Sequence, residues 1–251
     1  MRALILADIH ANLEALNAVI EDARAKGGFD AIWCLGDTVG YGPDPNRCLE
    51  IIQEYALGAV AGNHDFAAVG KRATDDFNYA AKASAEWTRS QLSNEAVSFL
   101  QDLPLTAVAG QFTLVHGTLR DPLSEYLVDQ ETASANLDMM ATPYCLVGHS
   151  HMPFICWAEL DSEINSEKGT PEFLEFTEDQ AFSLDQFRYI FNPGGVGQPR
   201  DRDPRSSYAV YDSQERLIRR HRVVYDIALT QKKIREAGLP EHLAQRLSEG
   251  L

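Results

Sequence analysis

The sequence predicts an α/β fold, on three observations. Short β-branched or leucine-rich runs recur along the chain, each ends in a small polar cluster, and the first two are followed by segments with helical apolar spacing. In an open α/β sheet the carboxyl ends of the strands face one crevice, so clusters spread over more than half the sequence can meet in a single site.

The first run, residues 3–7, enters Asp8-Ile9-His10. Residues 12–26 carry Leu13, Leu16, Ile20 and Ala23 at helical spacing and stop at Gly27-Gly28. A second unit follows: a strand to Leu35, the cluster Gly36-Asp37, the loop Gly40-Tyr-Gly-Pro-Asp-Pro, and a helix over about 45–55, with Pro45 suited to its first turn. The third strand ends in Gly62-Asn63-His64-Asp65. Residues 66–100 are rich in alanine and other helix formers, which predicts two helices capping the crevice. From Leu105 two short strands about a glycine turn predict a hairpin that opens a second sheet and leads into His116-Gly117. A short helix over about 131–140, a strand into Val147 before Gly148-His149-Ser150-His151, and a strand from Phe154 to about Leu160 come next. The acidic stretch 161–186 is expected to be a surface excursion. Strands at 189–192, 208–211 and 217–224 and helices interrupted by Gly238-Leu-Pro240 complete one domain over residues 1–251.

With 251 residues and 45% hydrophobic content the chain can bury a large core. Its formal charge of -15 argues against an extended nucleic-acid or anionic-membrane partner. It does not argue against a small phosphorylated substrate, because two dications would reverse the sign among Asp8, Asp37, Asp65 and the neighbouring candidates Asp44 and Asp201. No stretch approaches the roughly 20 apolar residues of a membrane span, and the apolar start breaks at Asp8 before a signal-peptide core forms, so the mature protein is expected to begin at Met1. Cys34, Cys48, Cys145 and Cys156 lack close-paired spacing; they read as reduced core thiols in a cytoplasmic protein.

Five of the seven histidines fall in the strand-end clusters. An isolated Asp-x-His, Gly-Asp or Gly-His is ordinary surface polarity. The ordered series Asp-x-His, Gly-Asp, Gly-Asn-His-Asp, Val-His-Gly, Gly-His-Ser-His is different, since burying so many polar groups is costly unless metals and hydrogen bonds satisfy them. Oxygen and nitrogen donors without thiolate suit two divalent cations rather than a closed structural zinc.

That series resembles the calcineurin-like metallophosphoesterase superfamily. The phrases Asp8-Ile-His-Ala-Asn-Leu-Glu-Ala-Leu, Gly36-Asp-Thr-Val-Gly-Tyr-Gly-Pro and Asn192-Pro-Gly-Gly-Val-Gly-Gln-Pro-Arg resemble its small bacterial and archaeal phosphodiesterase branch, whose members are often labelled relatives of diadenosine tetraphosphatase. The resemblance implies a four-layer α/β/β/α sandwich. It implies one metal on Asp8, His10, Asp37 and His151, a second on Asp37, Asn63, His116 and His149, and a hydroxide between them attacking phosphorus in line with the leaving oxygen. It leaves His64 outside the ligand set, to protonate the leaving oxygen or stabilise the transition state. Asp65 could orient His64 or serve the turn.

Where the serine/threonine phosphatase branch carries Asp-Arg, this chain has Gly40-Tyr41. A tyrosine hydroxyl gives one neutral hydrogen bond in place of a charged fork, which favours a monoanionic diester over a phosphomonoester dianion. Arg200, Arg202 and Arg205 follow a glycine-rich turn; either Arg200 and the Gly194 or Gly195 amides meet the substrate, or the arginines pair with surface carboxylates. Asn78 and Trp87 are open between a base contact and core packing. The expected function is two-metal hydrolysis of small phosphodiester or nucleotide substrates, with Mn²⁺, Fe²⁺, Zn²⁺, Co²⁺ or Ni²⁺ as cofactor. The alternatives are a phosphomonoesterase, a dinucleotide polyphosphate hydrolase, or a non-catalytic scaffold. Exposed edge strands allow a homo-oligomer.

Overall fold

The computed structural model describes residues 1–159, 170–184 and 187–251. The chain begins with β1 (Arg2–Leu6), α1 (Leu13–Ala25), β2 (Ala31–Cys34), α2 (Pro45–Tyr55) and β3 (Ala56–Ala59). On β1, Ala3 and Ile5 face one apolar cluster while Leu4 and Leu6 face another. A strand covered on both faces reads as an unbroken apolar run, which is why periodicity located it without giving its sides. Asn12 caps α1 by accepting from the Ala15 amide at 3.1 Å, and Gly28 closes it from the left-handed region at φ +76°.

Three helices follow, α3 (Asn63–Ala68), α4 (Tyr79–Gln91) and α5 (Asn94–Asp102), and then β4 (Thr106–Ala109), β5 (Phe112–Val115), α6 (Gln130–Met139), β6 (Tyr144–Leu146) and β7 (Phe154–Glu159). The remainder comprises β8 (Glu172–Glu175), β9 (Ala181–Ser183), β10 (Phe187–Asn192), β11 (Ser206–Asp212), β12 (Leu217–Val223), α7 (Ile227–Glu236) and α8 (Glu241–Gln245).

The described strands form two mixed six-stranded sheets, in the orders β3-β2-β1-β11-β12-β9 and β4-β5-β6-β10-β7-β8. Strands β1, β2 and β3 run parallel in the first, and β5, β6 and β10 in the second. A core containing Trp33, Phe112, Tyr144, Tyr189, Phe191 and Ile218 lies between the sheets; α1 and α2 cover one outer face and α6 the other. The four layers of helix, sheet, sheet and helix are therefore present.

Three features differ from the sequence reading. The late strands β11 and β12 return to the first sheet, β11 antiparallel beside β1 and β12 antiparallel beside β11; alternation marks a strand but carries no information about its partner. Within the stretch read as a polar excursion, β8 and β9 extend one edge of each sheet, with Phe176 and Leu184 buried; residues 160–169, 185 and 186 lie outside the described residues. Asn63 and His64 sit in the first turn of α3, not on an extended strand end. Among the described residues, no helix is long and apolar enough to cross a membrane.

Trp33 is 1% exposed and its ring lies 5.3 Å from Phe112 and 5.8 Å from Tyr211. Trp33→Ala is expected to cost about 3–5 kcal/mol in urea unfolding. Tyr79→Ala, at a residue 82% exposed, is expected to stay within about 0.5 kcal/mol. A small loss for Trp33→Ala would place the principal core elsewhere.

Candidate active site

The carboxyl ends of the parallel strands of both sheets open at one end of the sandwich, and the loops that follow them are laced together. The amides of Asp8, His10 and Ala11 donate to the carbonyls of Gly36, Asp37 and Thr38 at 3.2, 2.9 and 2.9 Å, and the Gly148 amide donates to His116 O at 2.8 Å. Asn192 at the end of β10 donates to Gly148 O at 2.7 Å and to Ser150 Oγ at 3.0 Å. These ties hold Asp8, His10, Asp37, Tyr41, His149 and His151 at positive φ, between +49° and +64°. An isolated residue would pay roughly 1–2 kcal/mol for that conformation. Asp8 and His10 therefore do not share the face of an extended segment; a left-handed turn aims them.

Asp8, His10, Asp37, Asn63, His64, His116, His149 and His151 are all buried around this turn system. Each of four histidines has one ring nitrogen against a backbone carbonyl: His10 Nδ1 to Val39 at 3.2 Å, His116 Nδ1 to Leu35 at 2.9 Å, His151 Nδ1 to Gln198 at 2.5 Å, and His149 Nε2 to Ser124 at 3.3 Å. A carbonyl only accepts, so that nitrogen carries the proton and the other ring nitrogen of a neutral imidazole offers a lone pair. Those inner nitrogens converge. His10 Nε2 and His151 Nε2 are 3.2 Å apart, His116 Nε2 and His149 Nδ1 are 3.1 Å apart, and Asn63 Oδ1 is 3.0 Å from His116 Nε2.

Lone pairs facing lone pairs at these separations call for a cation or a proton between them. Asp8, His10 and His151 form one group able to hold a metal ion, and Asp37, His116 and His149 form another. Asp37 Oδ2 lies 3.7 Å from His10 Nε2 and 3.4 Å from His116 Nε2, which puts one carboxylate oxygen between the two groups. Asp8 Oδ2 is buried without a hydrogen-bond partner, a condition that coordination relieves. The donor set fits two divalent cations.

The electrostatics agree. Burial holds His10 and His151 well below the usual imidazole range, and burial together with the charge of His116 brings His149 down to about 3. Burial opposes ionisation of Asp37, yet the surrounding histidines, His116 first, keep it well below the usual carboxylate range. Burial would lower His116 as well, but Asp37 outweighs it and raises His116 to about 9. A proton on the inner His116 nitrogen would therefore compete with a cation for that lone pair.

His64 stands beside both groups. Its ring is 4.3 Å from Tyr41 and 4.8 Å from Phe77, with the His10 ring edge-on at 5.1 Å. Its Nδ1 is buried without a partner, and burial lowers the imidazole to about 4. Asp65 does not touch the ring: its carboxylate accepts from the Val39 amide at 3.1 Å and the Gly62 amide at 3.0 Å, which assigns it to the turn. Aromatic faces, not a carboxylate, set the orientation of His64.

A crevice of about 190 Å³ lies over these groups, lined by residues including Tyr41, Phe77, Asn78, Tyr126 and Arg200. Arg72 pairs with Asp76 at 2.6 Å and reaches Ser124 Oγ at 3.3 Å, joining the insert to the loop after β5. Tyr126 stacks on His149 with centroids 3.9 Å apart and planes at 13°. The sequence reading missed Phe77 and Tyr126, since an aromatic in a loop carries no spacing signal.

Other candidates settle elsewhere. Asp44 pairs with Lys233 at 2.8 Å and Asp201 with Arg222, so neither carboxylate joins the cluster. Gly195 is packed behind His151, where an added Cβ would lie 3.2 Å from the ring, and the Gly194 amide is spent on Asn192 Oδ1 at 2.8 Å. Asn78 caps α4 and its side chain borders the crevice, whereas Trp87 packs with Tyr41 and the C-terminal helices. Of the three arginines after β10, Arg205 pairs with Glu178 and Asp203 while Arg200 faces the crevice.

Two mixed sheets with paired donor clusters at their shared end define an α/β/β/α sandwich of the metallophosphoesterase class. The chain belongs to the calcineurin-like phosphoesterase superfamily, whose domain model matches residues 1–216. It is similar to a metallophosphoesterase from Sphaerobacter thermophilus, with 42% identity, a TM-score of 0.86, and 100% of this chain and 99% of that one covered. An uncharacterised protein of Methanocaldococcus jannaschii is 38% identical over 255 residues, 98% of this chain and 97% of its own. A symmetrical bis(5'-nucleosyl)-tetraphosphatase of Psychromonas ingrahamii is 36% identical over 67 residues, 26% of this chain and 24% of its own.

Because a cation must displace the His116 proton, metal affinity is expected to rise with pH up to about 9, by up to about tenfold per unit, and to flatten above it. Chelator competition across that range measures it; a profile already flat from neutral pH would mean that His116 is not a ligand.

Proposed function

We propose that the protein is a two-metal-dependent phosphoesterase acting on small phosphodiesters or nucleotides. One observation carries the reading: four imidazoles, each fixed through its outer nitrogen on a carbonyl, turn their inner nitrogens toward Asp8, Asp37 and Asn63, with His64 alongside. In this reading Asp8, His10, Asp37 and His151 hold one cation, and Asp37, Asn63, His116 and His149 the other. When bound, Mn²⁺, Fe²⁺, Zn²⁺, Co²⁺ or Ni²⁺ supplies Lewis-acid charge for a phosphoryl group and acidifies water.

The chain's own residues supply the rest. Outer hydrogen bonds fix the tautomer of each ligand and keep its ring from turning. His64, neutral at physiological pH because of burial, donates an N–H toward the oxygen that leaves, and the Tyr41 and Phe77 rings hold its plane. Tyr41 contributes a single neutral hydroxyl where an arginine would grip a dianion, which supports a preference for diesters. The half-buried Arg200 supplies positive charge at the crevice wall.

The tetraphosphatase similarity covers about a quarter of each chain, so it supports the family more than a dinucleotide polyphosphate substrate. The complete donor set weighs against a scaffold.

With Mn²⁺ added, bis-(p-nitrophenyl) phosphate should turn over faster than p-nitrophenyl phosphate. The opposite ranking would remove the diester preference, and no turnover of either by metal-loaded protein would favour the scaffold. His64→Ala should keep its metal content while losing about 10²- to 10⁴-fold in turnover; Asp37→Ala should lose metal. Equal metal loss in both, read by elemental analysis, would overturn the assignment of roles.

A further inference from the structure

The crevice over the donor groups holds about 190 Å³, less than the roughly 300 Å³ or more that encloses a whole small ligand. It has room for a phosphate and the groups next to it, so the larger arm of a substrate lies along its rim. Among the described residues three phenyl or phenol rings line it, those of Tyr41, Phe77 and Tyr126. They differ in what their faces already touch. Tyr41 is 7% exposed and has the His10 and His64 rings at 4.6 and 4.3 Å. Phe77 has the His64 ring at 4.8 Å and the Arg72 guanidinium over it at 4.9 Å. Tyr126 is covered on one side alone, by His149 at 3.9 Å with the planes at 13°, and the residue is still 45% exposed. A flat ring has two faces, and the open one is the face turned away from His149.

The loop that carries Tyr126 is held in place. Ser124 O accepts from His149 Nε2 at 3.3 Å, Ser124 Oγ accepts from Arg72 at 3.3 Å, and Glu125 accepts from Thr118 Oγ1 at 2.6 Å. A single exposed aromatic is ordinary on a soluble chain. One laid flat on a buried imidazole, after two residues bonded to the sandwich and to the helical insert, has already lost the freedom that binding would otherwise take from it. The insert adds no net charge here, since the Arg72 and Asp76 side chains that line the crevice pair with each other at 2.6 Å. Asn78, which lines it too, spends Oδ1 on the Ala81 amide at 2.9 Å, and its Nδ2 has no partner among the described residues. An open aromatic face, a neutral ion pair and a spare amide offer little to a second anion and suit a planar, uncharged ring with polar edges.

We infer that the outer face of Tyr126 is a stacking platform for a nucleobase on the substrate. The preferred substrates are then nucleoside phosphates and their esters, in place of sugar phosphates that lack a base. This rests on the phosphoesterase reading for the position of the phosphate. A base on Tyr126 lies one layer above His149, which puts the ester it carries beside the Asp37, His116 and His149 group. Stacking of a base on an aromatic face contributes about tenfold in affinity and tolerates any base, because every base has such a face.

The test is calorimetric titration of the full chain, loaded with Mn²⁺, with adenosine 5'-monophosphate and with ribose 5-phosphate, which share the phosphate and differ by the base. The nucleotide should bind at least about tenfold more tightly. Tyr126→Leu, which keeps an apolar cover on His149, should bring the two ligands to within about threefold by weakening the nucleotide alone, and Tyr126→Phe should keep the preference, since the ring face makes the contact. If Tyr126 serves only to hold His149, Tyr126→Leu loses manganese affinity and weakens both ligands equally. That result, equal binding of the two ligands by the parent chain, or binding of neither, would overturn the platform. If Tyr126→Leu melts early, the parent chain and Tyr126→Phe decide the matter, and loss of the preference in Tyr126→Phe counts against the platform. Turnover of bis-(p-nitrophenyl) phosphate separates the two readings: hydrolysis without nucleotide preference removes the platform alone, and preference without hydrolysis removes the enzyme reading alone.

Discussion

The arrangement of the site depends on hydrogen bonds that point away from it. Val39, Leu35, Gln198 and Ser124 each offer a carbonyl to one nitrogen of a histidine, and that choice decides which lone pair faces inward. None of the four carbonyls needs to be a particular side chain. What they need is a backbone fixed in space, and the strand-end loops provide it because they are bonded to one another across both sheets. The chemistry of the centre is thus set by the register of loops on a rigid sandwich.

That rigidity is costly. Seven residues in the strand-end loops, Asp8, His10, Ala11, Asp37, Tyr41, His149 and His151, hold positive φ without being glycine, at a cost of about 1–2 kcal/mol each, against a net folding stability of only about 5–15 kcal/mol for a typical domain. The cost is sustained because the conformations are over-determined: β1 is buried on both faces, and the loop after it is hydrogen-bonded to the loop after β2 at three amides. A turn held this way cannot relax toward an extended form without breaking several bonds at once. A bound cation would return part of the cost, since a ligand that binds only the folded state stabilises it.

Most of the donor set was legible in the sequence, because metal-binding groups are chemically rare at the ends of apolar runs, and several together in one order are rarer. Asp8, His10, Asp37, Asn63, His116, His149 and His151 were named from that order and the family resemblance, and the structure brings them into one buried cluster. The orientation of Asp8 and His10 was not legible, since a two-residue spacing implies a shared face only if the backbone is extended. The partners of β11 and β12 were hidden for a related reason: strand pairing across about 200 residues leaves no local trace. Phe173, Phe176, Phe182 and Leu184 did carry an apolar signal within the acidic stretch, but surrounding charge masked it.

The environment of His64 shows how neighbours set the character of a histidine proposed to act in catalysis. In a triad a carboxylate orients the histidine and raises its basicity. Here Asp65 is spent on two backbone amides, and the ring is held between Tyr41 and Phe77. Aromatic faces fix a plane without supplying a proton acceptor, so the imidazole keeps its buried, weakly basic character. On the proposed reading, a neutral ring leaves one positive charge fewer near a phosphoryl group than an imidazolium would, which leaves that charge to the proposed cations and Arg200. Tyr41 serves both needs: its ring fixes His64, and its hydroxyl lies within the field of Arg200 and Arg246. Replacing the Gly40-Tyr41 pair with the acid and arginine of the protein phosphatase branch would therefore change two things together, the basicity of the histidine and the charge that meets the substrate.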